Sequence, residues 1–316
     1  MRLTRLALVL LASWLASAAS AAGAEDWLQR LVEAERSRSF QGTFVYERNG
    51  SFSSHGIWHR VDEGGRVRER LLQLDGTAQE VVRVDGRTHC VGGTLIDQVV
   101  DGQWPARNLR VGQLRKWYEL RLIGESRVAG RPAVVLALVP RDQHRYGVEL
   151  HLDRESSLPL KSLLLNDKGQ LLERFQFTRL DVSTKPTEQA LRPGADCRPV
   201  QVAPSQQTVA EAWRSDWLPP GFTLDSVVER PGSAADAPVA WMVYGDGLAR
   251  FSVFLEPLRG AKVDDARRQI GPTAAVSRRL STAGGDVMVT VVGEIPLGTA
   301  ERVALSMRAA VAGEGQ

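Results

Sequence analysis

The apolar positions change period early in the chain. From Asp26 onward Trp27, Leu28, Leu31 and Val32, with Glu33, Glu35 and Arg36 between them, make one apolar stripe at helical spacing. Glu25 and Asp26 suit the positive end of that helix. The period then falls to two. Phe40 to Arg48 alternates around Phe44 and Tyr46, Asn49-Gly50 supplies a tight hairpin turn, and Ser51 to Val61 returns. Glu63-Gly64-Gly65, Asp75-Gly76 and Asp85-Gly86 separate Val67 to Leu74, Glu80 to Val84 and a strand carrying Cys90. After a less regular stretch from Gly92 to Leu114, which contains Trp104-Pro105, the meander resumes. Its strands are Tyr118 to Val128, Ala133 to Val139, Gly147 to Leu152, Leu160 to Leu165 and Gln170 to Leu180. Strands recurring about every 8 to 12 residues with turn chemistry between them predict one antiparallel sheet large enough to curl.

Several of these strands are apolar on both faces: Val134, Val135, Leu136, Leu138 and Val139, and again Leu163, Leu164 and Leu165. A sheet with one solvated face should alternate, so two-sided apolar strands must be covered on both sides. One short helix cannot cover so many strands. Either the sheet closes into a barrel packed with its own side chains, or it leaves an apolar hollow that holds something.

Beyond Asp181 the pattern lapses. Asp181 to Ala212 carries Pro186, Pro193, Pro199 and Pro204 with few large apolar residues and no period, which reads as a linker. Apolar content returns at Trp213. Trp217-Leu218-Pro219-Pro220-Gly221-Phe222 is a rigid turn into Thr223 to Glu229, and Val239 to Tyr244 forms a hairpin with Leu248 to Leu255. Val263 to Gln269 is a short polar helix candidate, Val287 to Val292 a strand, and Gly298 to Met307 a helix. The expected division is a leader over 1–24, a β domain over 25–182, a linker over 183–212 and a smaller α+β domain over 213–312.

Composition narrows the class. The chain has 316 residues, 40 Lys+Arg against 37 Asp+Glu and 43% hydrophobic residues, which excludes a disordered polar chain and a multi-span membrane protein. So small a charge surplus does not call for nucleic acid. Arg2 and Arg5 precede the apolar run Leu6 to Leu15 and then small residues through Ala24, the order of a cleaved export signal. A retained N-terminal anchor is the competing reading, and the run is shorter than the roughly 20 residues a bilayer span needs. The cut could fall after Ala21, Ala22 or Ala24, and with no cysteine nearby a lipid-anchored N-terminus is not expected. Export also allows a bridge between Cys90 and Cys197. Closing so long a loop is worth about 4 to 5 kcal/mol in the chain-entropy model. Two unpaired buried thiols are the alternative.

Candidate chemistry is sparse. The chain has no Gly-x-Ser-x-Gly elbow, no His-Glu-x-x-His, no phosphate-cradling glycine loop and no Cys-x-x-Cys. His55 and His59 are four apart, but four residues of strand span about 13 Å, too far to chelate one metal. His144 sits in a turn with Arg141, Asp142, Arg145 and Tyr146, which could meet a phosphate but reads more simply as a solvated loop. No catalytic residue, metal or cofactor is assigned, and a secreted hydrolase is the third-ranked reading.

The resemblance lies in particular segments. Asp26-Trp27-Leu28, Phe40-Gln41-Gly42-Thr43-Phe44-Val45-Tyr46, Ile57-Trp58-His59-Arg60 and Glu69-Arg70-Leu71-Leu72 resemble the N-terminal domain of the RseB/MucB family. Trp217-Leu218-Pro219-Pro220-Gly221-Phe222, Tyr244-Gly245-Asp246-Gly247-Leu248 and Phe251-Ser252-Val253-Phe254 resemble its C-terminal domain. The resemblance implies a periplasmic negative regulator of an envelope-stress sigma factor, of the branch that regulates alginate biosynthesis. Such a protein binds the periplasmic segment of a single-pass anti-sigma factor and shields it from regulated proteolysis. It also implies a mainly β chain: an open antiparallel half-barrel with a helix, similar to lipoprotein carriers, followed by the smaller α+β domain. Lipid or lipopolysaccharide fragments would enter the half-barrel and release the partner. A lipid or lipoprotein carrier without anti-sigma contact is the alternative, and a homodimer stays open.

The lining is then chosen by parity. Phe44 with Tyr46, Leu72 with Leu74, Val82 with Val84, Leu136 with Leu138 and Phe175 with Phe177 are the candidate lipid contacts, each pair equally explicable as outer-face packing. Arg60, Arg68 and Arg70 are candidate contacts for lipid phosphates through bidentate bonds.

Overall fold

The computed structural model describes residues 23–93, 109–200, 212–231 and 238–309. The expected leader, apart from Gly23 and Ala24, the Trp104-Pro105 stretch and residues 201–211 of the expected linker lie outside them. By compactness the chain divides into two units, 1–111 with 118–139 and 147–200, and 112–117 with 140–146 and 201–316.

Residues 23–37 form helix α1, as the apolar stripe predicts. Ala24, Leu28, Leu31 and Ala34 are buried on one side of it. The first unit's sheet then runs out from its own middle. Strands β1 (Phe40–Arg48), β2 (Ser51–Val61), β3 (Val67–Gln73), β4 (Glu80–Val84) and β5 (Arg87–Gly92) step toward one edge. Asn49 and Gly50 turn β1 into β2 with φ of 55° and 72°, the left-handed pair that a two-residue hairpin needs. Chain order resumes at the opposite edge with β6 (Tyr118–Val128), β7 (Arg131–Pro140), β8 (Gly147–Asp153), β9 (Pro159–Leu165) and β10 (Leu171–Asp181). β10 closes back on β1, and a short β11 (Arg198–Pro199) adds to β5. The eleven strands lie in the order β11-β5-β4-β3-β2-β1-β10-β9-β8-β7-β6. A closed barrel would pair β6 with β11 or β5; it does not, so the sheet is an open half-barrel.

Both faces are covered, from different ends of the sequence. α1 lies over one face. The segment after β10 returns over the other face of β2 to β5, where Pro186 and Leu191 are buried. This return is fastened at its end by a disulfide between Cys90 in β5 and Cys197, with Cα atoms 5.5 Å apart and 107 residues between them. The proline-rich stretch expected as a linker thus serves, over 182–200, as the cover of a sheet face.

The second unit is built on an antiparallel sheet of β13 (Thr223–Pro231), β14 (Pro238–Gly245), β15 (Arg250–Pro257), β18 (Gly285–Gly293), β17 (Thr273–Thr282) and β16 (Ala266–Ile270), in that spatial order. Helix α3 (Leu297–Ser306) packs Ala300, Val303 and Ala304 into a core with Phe222, Met242, Phe251, Val253, Val276, Val289 and Val291. Strands β12 (Trp213–Ser215) and β19 (Met307–Ala309) pair separately. The helix expected over Val263 to Gln269 is instead strand β16, whose residues are all exposed. A polar segment with no apolar stripe gains nothing as a helix. Pairing with β17 satisfies its backbone, and Asp265 fixes the start by accepting from the Arg279 amide and the Arg278 guanidinium, both at 2.8 Å.

The unit also takes in α2 (Val111–Trp117) for its residues 112–117, and the turn 140–146. That turn is not solvated at Arg145, which is 3% exposed. Its guanidinium meets Asp246 Oδ2 at 2.5 Å and Asp142 at 2.9 and 3.1 Å, and it lies over the rings of Trp117 and Phe222 at 5.6 and 5.1 Å. The buried charges of Arg145 and Asp246 are tolerable because each finds its opposite, and the half-buried Asp142 adds a second carboxylate to the cation. Among the described residues no helix is long and apolar enough to cross a membrane.

Replacing Cys90 and Cys197 together by serine should lower the unfolding free energy of the first unit by about 4 kcal/mol, chiefly by freeing the unfolded chain. A urea midpoint equal to that of the disulfide form would contradict this.

Candidate functional site

Register decides which side chains share a face. Phe44 lies opposite Phe177 and His55, and Tyr46 opposite Phe175 and Ser53. Phe175 continues through Ser162 and Leu150 to Leu136, and Leu164 through Val148 to Leu138. Directly opposed residues point the same way, so Phe44, Tyr46, Leu136, Leu138, Phe175 and Phe177 belong to one face. It is the face under α1, because His59 stands on it beside Phe40 and reaches the Glu35 carbonyl of the helix at 2.9 Å.

The aromatic rings form a continuous layer. Phe44 and Phe175 have centroids 4.6 Å apart, Phe175 meets Phe177 edge-on at 5.2 Å, and Phe177 meets Phe44 at 6.0 Å and Phe40 at 6.4 Å in the same manner. Such tilted and edge contacts are the favoured geometry for aromatic pairs. Gly42 makes room for them: a Cβ there would lie 2.9 Å from the Phe177 ring and 2.3 Å from the Arg179 carbonyl. Two imidazoles extend the layer. His59 stacks on Phe40 at 4.6 Å and His55 on Phe44 at 5.0 Å. Burial lowers the pKa of His55, with Asp75 opposing, and one of its nitrogens shares a hydrogen bond with Ser53 Oγ at 2.8 Å.

Toward β6 the same side of the sheet opens into a hollow. It is lined by Trp27 of α1, Leu122, Ile123, Gly124 and Glu125 of β6 and Val134 of β7, with Arg30 and Arg154 also lining it. Arg30 pairs with Asp26 and lies over Trp27 at 5.1 Å, and Arg154 pairs with Glu125. Each of these cations has its own carboxylate, so what the hollow offers a guest is its apolar wall. The sequence shows Trp27 in the helix stripe and Val134 in a two-sided strand, but no local pattern says that the two line one hollow.

The remaining candidates face the other way. Leu72 lies opposite Gly56 and Glu80, Val82 opposite Arg70 and Cys90, and Val84 opposite Arg68. Leu74 continues that side and is 51% exposed. The register therefore separates Leu72, Leu74, Val82 and Val84 from the aromatic layer.

Arg60, Arg68 and Arg70 share this outer side and hold the returning segment. Arg60 donates to the Pro186 carbonyl at 3.0 Å, Arg68 forks onto Glu188 at 2.6 and 2.7 Å, and Arg70 donates to the Ala190 carbonyl at 3.2 Å. Glu80 completes the fastening by accepting from Arg70 and from the Gly194 amide at 2.9 Å. The Arg68 guanidinium holds the carboxyls of both Asp62 and Glu188 below the usual carboxylate range. These cations are engaged inside the chain rather than presented to a phosphate. Among the described residues no three histidine, cysteine or carboxylate side chains converge as metal ligands would.

Comparison with known proteins adds the following. The family model described as MucB/RseB N-terminal domain matches residues 23–195, and that described as MucB/RseB C-terminal domain matches 207–308. The sigma factor AlgU regulatory protein MucB of Pseudomonas aeruginosa is 64% identical over 309 residues, covering 98% of each chain. The sigma-E factor regulatory protein RseB of Escherichia coli is 29% identical, covering 93% of this chain and 92% of that one. A solved complex of Pseudomonas aeruginosa MucA and MucB aligns with a TM-score of 0.81 at 66% identity, over 92% of this chain and 100% of that one. A crystal structure of MucB aligns at 0.73 and 63% identity, over 91% and 98%.

The face assignment predicts unequal costs of truncation. Phe177→Ala should destabilise the first unit by about 3 to 5 kcal/mol, whereas Leu74→Ala should change it by less than about 0.5 kcal/mol. Denaturant unfolding of the two variants measures both, and equal costs would contradict the register.

Proposed function

The chain belongs to the MucB/RseB family, and from that premise we propose that it is a periplasmic regulator of an envelope-stress sigma factor. It binds the periplasmic segment of a transmembrane anti-sigma factor and protects that segment from regulated proteolysis. The leader over 1–24 is removed on export, with no lipid anchor left behind. The observation that carries this reading is the full-length match at 64% identity to a named sigma factor regulatory protein whose solved complexes contain MucA.

Release follows from lipid or lipopolysaccharide fragments entering the aromatic face. Phe44, Tyr46, Leu136, Leu138, Phe175 and Phe177 receive the acyl chain, and the hollow beside Trp27 and Ile123 is its entrance. What supports this is an aromatic layer and a hollow with an apolar wall on the same side of the sheet. Leu72, Leu74, Val82 and Val84 leave the ligand set because they lie on the other face, and Arg60, Arg68 and Arg70 leave it because they hold the returning segment.

A ligand shifts a partner equilibrium only by the difference in its affinity for the two states. Tenfold weaker partner binding corresponds to about 1.4 kcal/mol of coupling. Titrating a lysophospholipid into the preformed complex with the MucA periplasmic segment should raise the partner's Kd at least tenfold, and the segment should weaken lipid binding by the same factor. Unchanged affinity in both directions removes the switch and leaves a carrier without regulation.

A further inference from the structure

One face of helix α3 is built around an indole. Thr299, Arg302 and Ser306 stand three and four residues apart, so they share that face. Ser215 Oγ donates to the Trp217 carbonyl at 2.6 Å, and Ser306 Oγ lies 2.7 Å from Ser215 Oγ and 2.9 Å from the same carbonyl. The Trp217 ring meets His144 edge-on, with centroids 5.1 Å apart, and His144 Nδ1 shares a hydrogen bond with Thr299 Oγ1 at 3.2 Å. The ring is thus held by its backbone and by a neighbour before any guest arrives.

The Arg302 guanidinium lies on the face of this ring, its carbon 3.9 Å from the centroid. Cation–π and stacking contact hold such a group as a planar fork of N–H donors. Among the described residues those donors meet no carboxylate and no carbonyl. Other arginines of this unit are engaged: Arg214 and Arg308 share Asp216, Arg279 pairs with Asp286, and Arg278 and Arg267 take the neighbouring Glu301. Arg302 is exposed, and Leu305, three residues further along α3, is 57% exposed.

We propose that Arg302 and Leu305 form a docking point for an acidic peptide. A carboxylate of the peptide meets the guanidinium through two parallel N–H···O bonds, and an apolar side chain next to it covers Leu305. The Trp217 shelf has already removed the rotamer freedom that an exposed arginine gives up on binding. Arginine and tryptophan are also the residues in which interface energy concentrates. A lipid phosphate would satisfy the same fork, but the hollow with an apolar wall lies in the first unit. Leu305 stands on an open helix surface, which suits a side chain rather than an acyl chain. The identity of the partner rests on the anti-sigma reading given above, and the acidic peptide is then part of that factor's periplasmic segment.

Isothermal titration of the MucA periplasmic segment into the full chain tests this. Arg302→Gln should raise the Kd about tenfold, the change expected when a charge-assisted hydrogen bond is lost. Arg302→Lys keeps the charge without the plane or the fork and should cost nearly as much. Leu305→Ala should cost roughly threefold. Arg268→Gln, at an exposed arginine of β16, should change the Kd by less than about twofold.

Native affinity in Arg302→Gln overturns the docking point and leaves the anti-sigma reading standing, whereas a native chain that does not bind the segment removes both. Native affinity in Arg302→Lys shows that charge alone acts and overturns the fork. Equal losses in Arg302→Gln and Arg268→Gln reduce the effect to general attraction and overturn the site. Denaturant unfolding checks each variant; if Arg302→Gln loses its cooperative transition, Arg302→Lys and Leu305→Ala decide. Binding of phosphatidylglycerol vesicles that depends on Arg302, with binding of the segment that does not, assigns the fork to lipid and overturns the peptide.

Discussion

An open curved sheet with apolar side chains on both faces cannot stand in water uncovered. That constraint organises the first unit. The hydrophobic effect rewards burial by area, and strands such as β7, with Val134, Leu136 and Leu138 on one side and Ala133 and Val135 on the other, have apolar area to bury in both directions. Under α1 and over the outer side of β2 to β5 the chain meets the demand with its two flanks. Helix α1, before the first strand, lies over the aromatic layer. The returning segment 182–200, after the last strand of the meander, lies over the outer side of β2 to β5.

The two covers are attached by different physics, and the difference bears on function. The returning segment is held by a covalent bridge and by three arginines that reach its carbonyls and Glu188. The helix is held by Leu28 and Leu31, which bury without direction, and by a hydrogen bond between its Glu35 carbonyl and His59. A cover bound chiefly by apolar contact can exchange that contact for an acyl chain at small net cost, because one greasy surface replaces another. A cover stapled by a disulfide and charge-assisted bonds cannot. The exchangeable cover is the helix, which is why the proposed ligand site lies on its side of the sheet.

Much of this was legible in the sequence. The period change at Phe40, the turn dipeptides and the strand lengths are local properties, and they located β1 to β10 closely. The two-sided strands Val134 to Val139 also announced that both faces would be covered. What covers them was not local: nothing in Asp181 to Ala212 says that Pro186 and Leu191 will be buried against strands more than a hundred residues earlier. Parity inside a strand was readable, but parity between strands was not, since it depends on turn lengths and on bulges such as that between Val82 and Arg83. Leu72 and Phe44 therefore looked equivalent until their neighbours were known. Arg145 illustrates the same limit, because a turn rich in charge reads as solvated unless its buried partner, Asp246, can be foreseen.

The central proposal is that an acyl chain binds between α1 and the aromatic layer. Photolabelling with a lysophospholipid that carries a diazirine on its acyl chain, followed by peptide mapping of the adducts, addresses it most directly. The account predicts adducts on Trp27 of α1 and on the peptides containing Phe44, Leu136 and Phe175, reduced when the anti-sigma segment is bound. Adducts confined to the outer side around Leu72 and Val84, or to the second unit, would contradict it.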